Sequence, residues 1–153
     1  MIINENTSIS SDIQAFDYVE KHLLDQNEQA LGTAGDCFYH DGNHACAIGC
    51  LISKSNYHDD IEFRGLDNII IDALEKSNPD WDINNGQTLT MLFCLQFVHD
   101  NRTPYTWEHD FAFLRGHLFD DGNNLKSNVP YYSDDRAHEI KMYTRSIYFG
   151  EDY

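Results

Sequence analysis

Apolar residues recur at helical spacing near the start of the chain. Ser11 is followed three residues later by Gln14, which is the pattern of a capping box at a helix N-terminus. The apolar positions that follow fall on one helical stripe, made up of Ile13, Phe16, Val19, Leu23 and Leu24. This pattern predicts a helix from Asp12 to about Gln29, ended by Gly32.

Four later segments also carry helical patterns. A second helix that stops before Pro79 is predicted by the apolar positions Leu66, Ile69, Ile70, Ala73 and Leu74. The stretch from Thr88 to His99 is apolar on nearly every side, which is typical of a central, buried helix. Trp107 begins a stripe that runs to Leu118, with Thr106 as its candidate cap. Residues 137–147 favour a helix over a strand.

The stretch from Asp36 to Ile52 departs from this pattern and holds three of the four cysteines. Asp41-Gly42 is a type I′ turn signal for a two-residue hairpin. With that turn, the predicted cross-strand pairs are His40 with Asn43, Tyr39 with His44, Phe38 with Ala45, and Cys37 with Cys46. We therefore predict a mainly α (α+β) fold, with residues 1–153 forming one compact helical domain that carries a small β-hairpin near residues 37–46.

The residues after Cys46 predict a short buried helix over positions 47–52. Cys46 then lies at or near its N-terminus, and Cys50 lies one turn later. Gly49 within this turn predicts close packing against another element.

Cys46 is the candidate nucleophile of an enzymatic hypothesis. A thiol at a helix N-terminus lies at the positive end of the helix dipole, which lowers its pKa. His99 is the candidate base, and Asp100 or Gln96 is the candidate orienting group or oxyanion donor. The apolar residues around Cys46 favour a different interpretation, in which the thiol is an inert small hydrophobe and His99 is structural.

The cysteines also raise two structural hypotheses. The pairing of Cys37 with Cys46 would suit a cross-strand disulfide, which a reducing cytosol opposes. A zinc site would need four ligands, for which Cys37, Cys46 and Cys50 with His44 or His99 are the candidates. The spacing lacks the paired knuckles of strong zinc signatures, so the prediction is no cofactor, with zinc as the alternative.

Charge narrows the class of partner. The chain has 26 acidic and 10 basic residues and a formal net charge of −16. This balance argues against direct binding to nucleic acid or an anionic membrane, because phosphate contacts need Lys and Arg. It favours solubility or attraction to a basic protein surface. No apolar run is long enough for a membrane helix, and the N-terminus lacks the features of a secretion signal, which predicts an intracellular location.

Taken together, these motifs resemble a family of small phage and bacterial proteins for which no activity is established. The resemblance covers about Ser11 to Leu118, with residues 119–153 as a C-terminal extension. The matching positions form a Cys-x-Tyr hairpin motif, a Cys-Ala-Ile-Gly turn and a Leu-Gln-x-x-His-Asp helix: Cys37, Tyr39, Gly42, Cys46, Ala47, Ile48, Gly49, Leu51, Ile52, Tyr57, Glu62, Gly65, Leu95, Gln96, His99, Asp100 and Trp107. The resemblance implies an architecture and a phage or bacterial origin.

The functional expectation follows from the charge and this resemblance. It is a small acidic, phage-encoded interaction protein of the host cytoplasm that binds and modulates a host protein. An inhibitor of a nucleic-acid-binding or defence protein would fit the charge. The alternatives are a thiol-dependent hydrolase or transferase using Cys46, His99 and Asp100, and a zinc-stabilised binding module. The balance leans against an enzyme, and the oligomeric state is left open.

Overall fold

Five α-helices dominate the part of the chain that the structure describes. The computed structural model describes residues 9–31, 39–40, 43–62 and 65–149. The helices are α1 (Asp12–Gln26), α2 (Asn68–Ser77), α3 (Gly86–Asn101), α4 (Trp107–Leu118) and α5 (Ala137–Phe149). The mainly helical prediction is confirmed. Within these ranges no helix combines the length and the apolar composition that crossing a bilayer requires.

The predicted start of α1 is confirmed, but its end comes earlier. Ser11 is the N-cap, and its hydroxyl accepts the Gln14 N–H. The side chain of Gln14 accepts the N–H of Ser10. In a standard capping box it would accept the N–H of the N-cap residue, which here is Ser11. The helix ends at Gln26 because Asn27 adopts the left-handed conformation, with φ 54°. Gly32, the predicted stop, lies outside the described residues.

Helix α2 follows the predicted stripe at three of its positions. Asp67 caps the helix by accepting the N–H groups of Ile69 and Ile70. Ile70, Ala73 and Leu74 are buried as predicted. Ile69 is 45% exposed, because the buried face of this short helix is narrower than the apolar pattern suggested.

Helix α3 is the central element, as its apolar composition predicted. It packs against α1, α4 and α5, and its buried residues include three polar ones, Thr88, Thr90 and His99. Trp107 at the start of α4 is fully buried, and its indole N–H donates to the carbonyl of Val98 in α3. The predicted cap of α4, Thr106, makes no capping bond.

The predicted β-hairpin is not supported by the structure. Within the described residues there is no strand, and the segment shows only an isolated antiparallel bridge between His40 and Ala45. His40 therefore does not pair with Asn43, as the predicted two-residue turn required. Cys37, Phe38 and the Asp41-Gly42 turn lie outside the described residues.

Side chains from other elements take the backbone groups that a hairpin ladder would have used. Glu62 accepts the N–H groups of Tyr39 and His40. Gln26 accepts the N–H of Ala45 and donates to its carbonyl oxygen. These backbone groups of Tyr39, His40 and Ala45 are thus satisfied by side chains, while the Cys46 N–H still donates to the Tyr39 carbonyl.

The short helix predicted after Cys46 is a single 3₁₀ turn, Gly49–Leu51. The Cys50 N–H donates to the Cys46 carbonyl, so the two cysteines are one turn apart as predicted. The close packing predicted at Gly49 is confirmed. A Cβ at this position would lie 2.7 Å from the carbonyl carbon of Tyr39.

The C-terminal segment packs on α3 and supplies part of the core. Gln87 of α3 donates to the carbonyl oxygens of Lys126 and Val129, and Thr90 donates to that of Pro130. Helix α5 buries Ile140 and Ile147. This places α5 beside the C-terminal half of α3, where it forms one wall of the site described below.

Candidate functional site

Gln96 joins the Cys46 turn to the C-terminal end of α3. Its side-chain oxygen accepts the N–H of Ile48 at 3.0 Å, and its amide nitrogen donates to Asp100 Oδ1 at 2.8 Å. Gln96 and Asp100 are four residues apart on one helix, so both side chains reach the same side of α3. The Leu-Gln-x-x-His-Asp pattern singled out in the sequence therefore brings its polar residues together.

His99 connects the same cluster to the end of α1. Its ring is fully buried and lies 5.9 Å from the ring of Trp107. Nδ1 lies 2.7 Å from Asp100 Oδ1, and Nε2 accepts the N–H of Ala30 at 2.9 Å. Because Nε2 is an acceptor, the neutral ring carries its proton on Nδ1 and donates it to Asp100. We call Gln96, His99 and Asp100 the α3 clamp.

The Glu62 carboxylate organises the opposite side of the Cys46 turn. Besides the N–H groups of Tyr39 and His40, it accepts the hydroxyl of Tyr57. Burial and this bond to Glu62 raise the pKa of Tyr57, so the phenol stays protonated and donates. The His40 ring stacks on Tyr57 at 4.2 Å between centroids.

The Cys46 thiol is enclosed at the centre of this arrangement. Its residue is 1% exposed, and Sγ accepts the N–H of Gly49 at 3.3 Å. Burial raises the pKa of the thiol well above its usual value. The Gly49 N–H and the Gln96 side chain lower the pKa, but the cost of desolvating a thiolate is larger. The pKa-lowering effect expected from a helix N-terminus is therefore outweighed.

The candidate catalytic residues lie in one region, but the hydrogen bonds of His99 are with groups that hold the fold together. Both ring nitrogens of His99 are engaged, one with Asp100 and one with the backbone of Ala30. A general base needs a free nitrogen within hydrogen-bond reach of the nucleophile. This geometry therefore gives no support to the hydrolase or transferase hypothesis.

The candidate zinc ligands make other contacts in the structure. His44 Nε2 lies 2.9 Å from Glu28 Oε2, and the Cys50 thiol donates to the Ala47 carbonyl. Across the described residues, no group of three or more His, Cys, Asp or Glu side chains is arranged to hold a metal ion. Cys37, the fourth proposed ligand and the partner in the predicted disulfide, lies outside those residues.

A cleft of about 500 Å³ opens above the Cys46 turn, between α3 and α5. Its floor includes Cys46 and Ile48, and α3 contributes Phe93, Phe97 and Asp100. The α5 side is lined by two cations, Lys141 and Arg145.

The sequence interpretation did not single out Lys141 and Arg145. The available signal was their spacing of four residues on a predicted helix in a chain with only 10 basic residues. The roles of Gln26 and Glu62 as partners of distant backbone groups have no local sequence signal. No family model, curated protein or solved structure matches the chain.

Proposed function

We propose that the protein is a small acidic interaction protein, encoded by a phage, that binds a basic surface of a host protein in the host cytoplasm and modulates it. The observation that carries this proposal is the number of exposed carboxylates without a basic neighbour. The exposed carboxylates that form no ion pair with another described residue are Asp59, Glu75, Asp80, Asp82, Glu108, Asp120, Asp121, Asp134 and Asp135.

Three of these carboxylates belong to one region of the surface. Asp80 and Asp82 flank the buried Trp81. Asp82 also lines a small cavity together with Asn123 and Asn124, which belong to the same loop as Asp121. We call Asp80, Asp82 and Asp121 the acidic corner. Concentrated negative charge of this kind attracts a basic partner and speeds its association at low ionic strength.

The test is capture of partners from a lysate of the bacterial host by the immobilised protein at about 0.05 M and about 0.5 M salt. One triple variant carries Asp80→Asn, Asp82→Asn and Asp121→Asn. A matched triple variant carries Asp25→Asn, Asp72→Asn and Glu139→Gln, whose carboxylates are paired with Lys21, Lys76 and Arg136. Both variants change the net charge by the same amount.

We expect the wild type and the matched variant to capture the same protein at low salt, and high salt to release it. The acidic-corner variant should capture much less. Capture that survives high salt, or that is equal for both triple variants, would contradict the proposal. Duplex DNA added to the lysate extends the test. It should compete with capture if the partner is a nucleic-acid-binding protein.

A further inference from the structure

The cleft between α3 and α5 has the size of a small-molecule site. Its volume is about 500 Å³. Sites for small organic ligands in proteins usually measure about 300 to 1,000 Å³. The space is therefore too large for a single ion or water molecule, and it suits a ligand with one or two rings.

Aromatic side chains form part of the cleft wall. Phe93 of α3 and Tyr132, which precedes α5, are both partly exposed there, with ring centroids 6.3 Å apart and planes inclined by 32°. Phe97 continues the same wall one turn along α3 and stacks on Tyr148 behind it. Aromatic walls of this kind favour a planar ring in the ligand, by stacking and by apolar burial.

The opposite wall is cationic. Lys141 and Arg145 are four residues apart on α5, so they project from one face of the helix, and both line the cleft. Within the described part of the chain, Lys141 makes no hydrogen bond or ion pair. Most other described cations are engaged elsewhere: Lys21, Lys76, Arg102, Arg115 and Arg136 with carboxylates, and Lys126 with the Gly116 carbonyl.

One carboxylate, Asp100, also lines the cleft. Its Oδ1 atom already accepts the donors of Gln96 and His99. Two cationic side chains and one carboxylate therefore line the cleft, and that carboxylate is already bonded within the α3 clamp. The net charge of the protein opposes an anion at long range, but physiological salt screens that field beyond about 8 Å.

We propose that this cleft binds a small ligand that combines a planar aromatic ring with an anionic group, either a phosphate or a carboxylate. The ring packs against the wall formed by Phe93 and Tyr132, and the anionic group binds Lys141 and Arg145 on α5. The partner-binding acidic corner is not involved, so this site and the proposed function stand or fall separately.

Isothermal titration calorimetry with four probes tests the site. Adenosine 5′-monophosphate and indole-3-carboxylate each carry a ring and an anion, adenosine has the ring alone, and inorganic phosphate has the anion alone. We expect at least one of the two aromatic anions to bind with a Kd below about 1 mM. Adenosine and phosphate should each bind at least about tenfold more weakly than the better aromatic anion. A preference for one of the two aromatic anions would show which combination of ring and anionic group fits the cleft.

Two single variants separate the contributions of charge and ring. Lys141→Gln should weaken the aromatic anion about tenfold and leave adenosine unchanged, since a charge-assisted contact is lost. Phe93→Leu should weaken both the anion and adenosine. Lys54→Gln is the matched control, because Lys54 is exposed, lies outside the cleft and carries the same charge. This control should bind like the wild type.

Two results would overturn the proposal. The first is that neither aromatic anion binds to the folded wild-type protein. The second is that Lys141→Gln and Lys54→Gln weaken binding equally, which would mean that the net charge, and not the cleft, determines affinity.

Discussion

At the scale of single residues, three side chains bind the backbone of Tyr39, His40 and Ala45. Glu62 holds the N–H groups of Tyr39 and His40, while Gln26 holds both backbone groups of Ala45. His22 also lies 3.1 Å from the Ala45 carbonyl oxygen through Nε2. These bonds connect Tyr39, His40 and Ala45 to α1 and to Glu62, which follows the 3₁₀ turn Asp59–Ile61. They act beside a backbone bond from the Cys46 N–H to the Tyr39 carbonyl, at a place where the local sequence favours a hairpin.

Gly49 is the residue at which a single methyl group should be most costly. A Cβ there would lie 2.7 Å from the Tyr39 carbonyl carbon. The atoms nearest to it all belong to the Tyr39 backbone, which cannot rotate away as a side chain can. We expect Gly49→Ala to reduce the free energy of unfolding by about 2 to 3 kcal/mol, as overpacking does. Gly116→Ala is the control, because its Cβ would meet nothing within 4 Å and alanine stabilises a helix by up to about 1 kcal/mol. Urea denaturation measures both, and an equal effect would refute the packing argument.

His22 should make stability depend on pH. Burial lowers its pKa from 6.5 to about 4, although the hydrogen bond to the Ala45 carbonyl opposes this shift. The unfolded chain therefore takes up the proton first as the pH falls, so stability is full above pH 6.5 and is lost towards pH 4. At pH 5.5 the protonation of His22 in the unfolded chain should lower the free energy of unfolding by about 1.4 kcal/mol relative to neutral pH.

His22→Gln keeps an N–H donor near the Ala45 carbonyl and does not titrate in this range. Urea denaturation at about pH 7.5 and about pH 5.5 should show a smaller loss of stability in the variant than in the wild type. Parallel losses in the two proteins would show that His22 is not the group responsible.

The described thiols should be unreactive in the folded protein. Cys46, Cys50 and Cys94 are buried, and burial raises the pKa of each of them, that of Cys94 to about 12. In a Cys37→Ser variant, we expect a disulfide reagent to label these thiols at least about 100-fold more slowly in buffer than in denaturant. A single fast thiol that disappears on further Cys46→Ser substitution would restore the nucleophile hypothesis.

At the scale of elements, the α3 clamp connects three parts of the chain. Gln96 binds the Cys46 turn, and His99 binds the backbone of Ala30 after α1. The carbonyl oxygen of His99 also accepts the side chain of Gln29. The α3 clamp, which includes the candidate catalytic residues His99 and Asp100, therefore connects the end of α1, α3 and the Cys46 turn.

His99→Leu tests this structural role. The substitution leaves the buried Ala30 N–H without its acceptor and removes one of the two donors to Asp100 Oδ1, so we expect a loss of about 2 to 4 kcal/mol in unfolding free energy. His138→Leu is the control, because His138 is exposed on α5, and it should change stability by less than about 0.5 kcal/mol. Denaturation by urea measures both, and a small effect of His99→Leu would show that the clamp contributes little.

The elements themselves were largely predictable from local patterns. Three features of the helices rest on residues within a few positions of one another. They are the Ser11 cap, the mainly apolar composition of α3 and the end of α2 before Pro79. The end of α1 was placed three residues too late, because Asn27 ends the helix in the left-handed conformation and Gln26 is bonded to Ala45, which is distant in the sequence.

At the scale of the whole molecule, the excess of carboxylates sets the electrostatic energy of the folded state. The chain has 26 acidic and 10 basic residues, so most carboxylates have no cation to pair with. Repulsion among the carboxylates therefore persists after the ion pairs have formed. Folding brings these like charges closer together, and their repulsion destabilises the folded state. Dissolved salt screens this repulsion.

Sodium chloride should therefore stabilise the protein. We expect the midpoint of urea denaturation to rise between about 0.05 M and about 0.5 M salt. The variant with Asp80→Asn, Asp82→Asn and Asp121→Asn should show a smaller rise than the wild type, because it has less charge to screen. A midpoint that falls with salt would mean that attractive ion pairs outweigh the repulsion.

The sequence by itself determined the helical class, the Ser11 cap of α1 and the net charge, because each depends on composition or on neighbouring residues. Only the tertiary structure decided the partners of Tyr39, His40 and Ala45, the enclosure of Cys46 and the opposition of α3 and α5 across the cleft. Each of these depends on partners far apart in the chain, such as Gln26 with Ala45 or Gln96 with Ile48. Burial then reversed the expected effect on the Cys46 pKa, since desolvation is a property of the packed interior and not of a local motif.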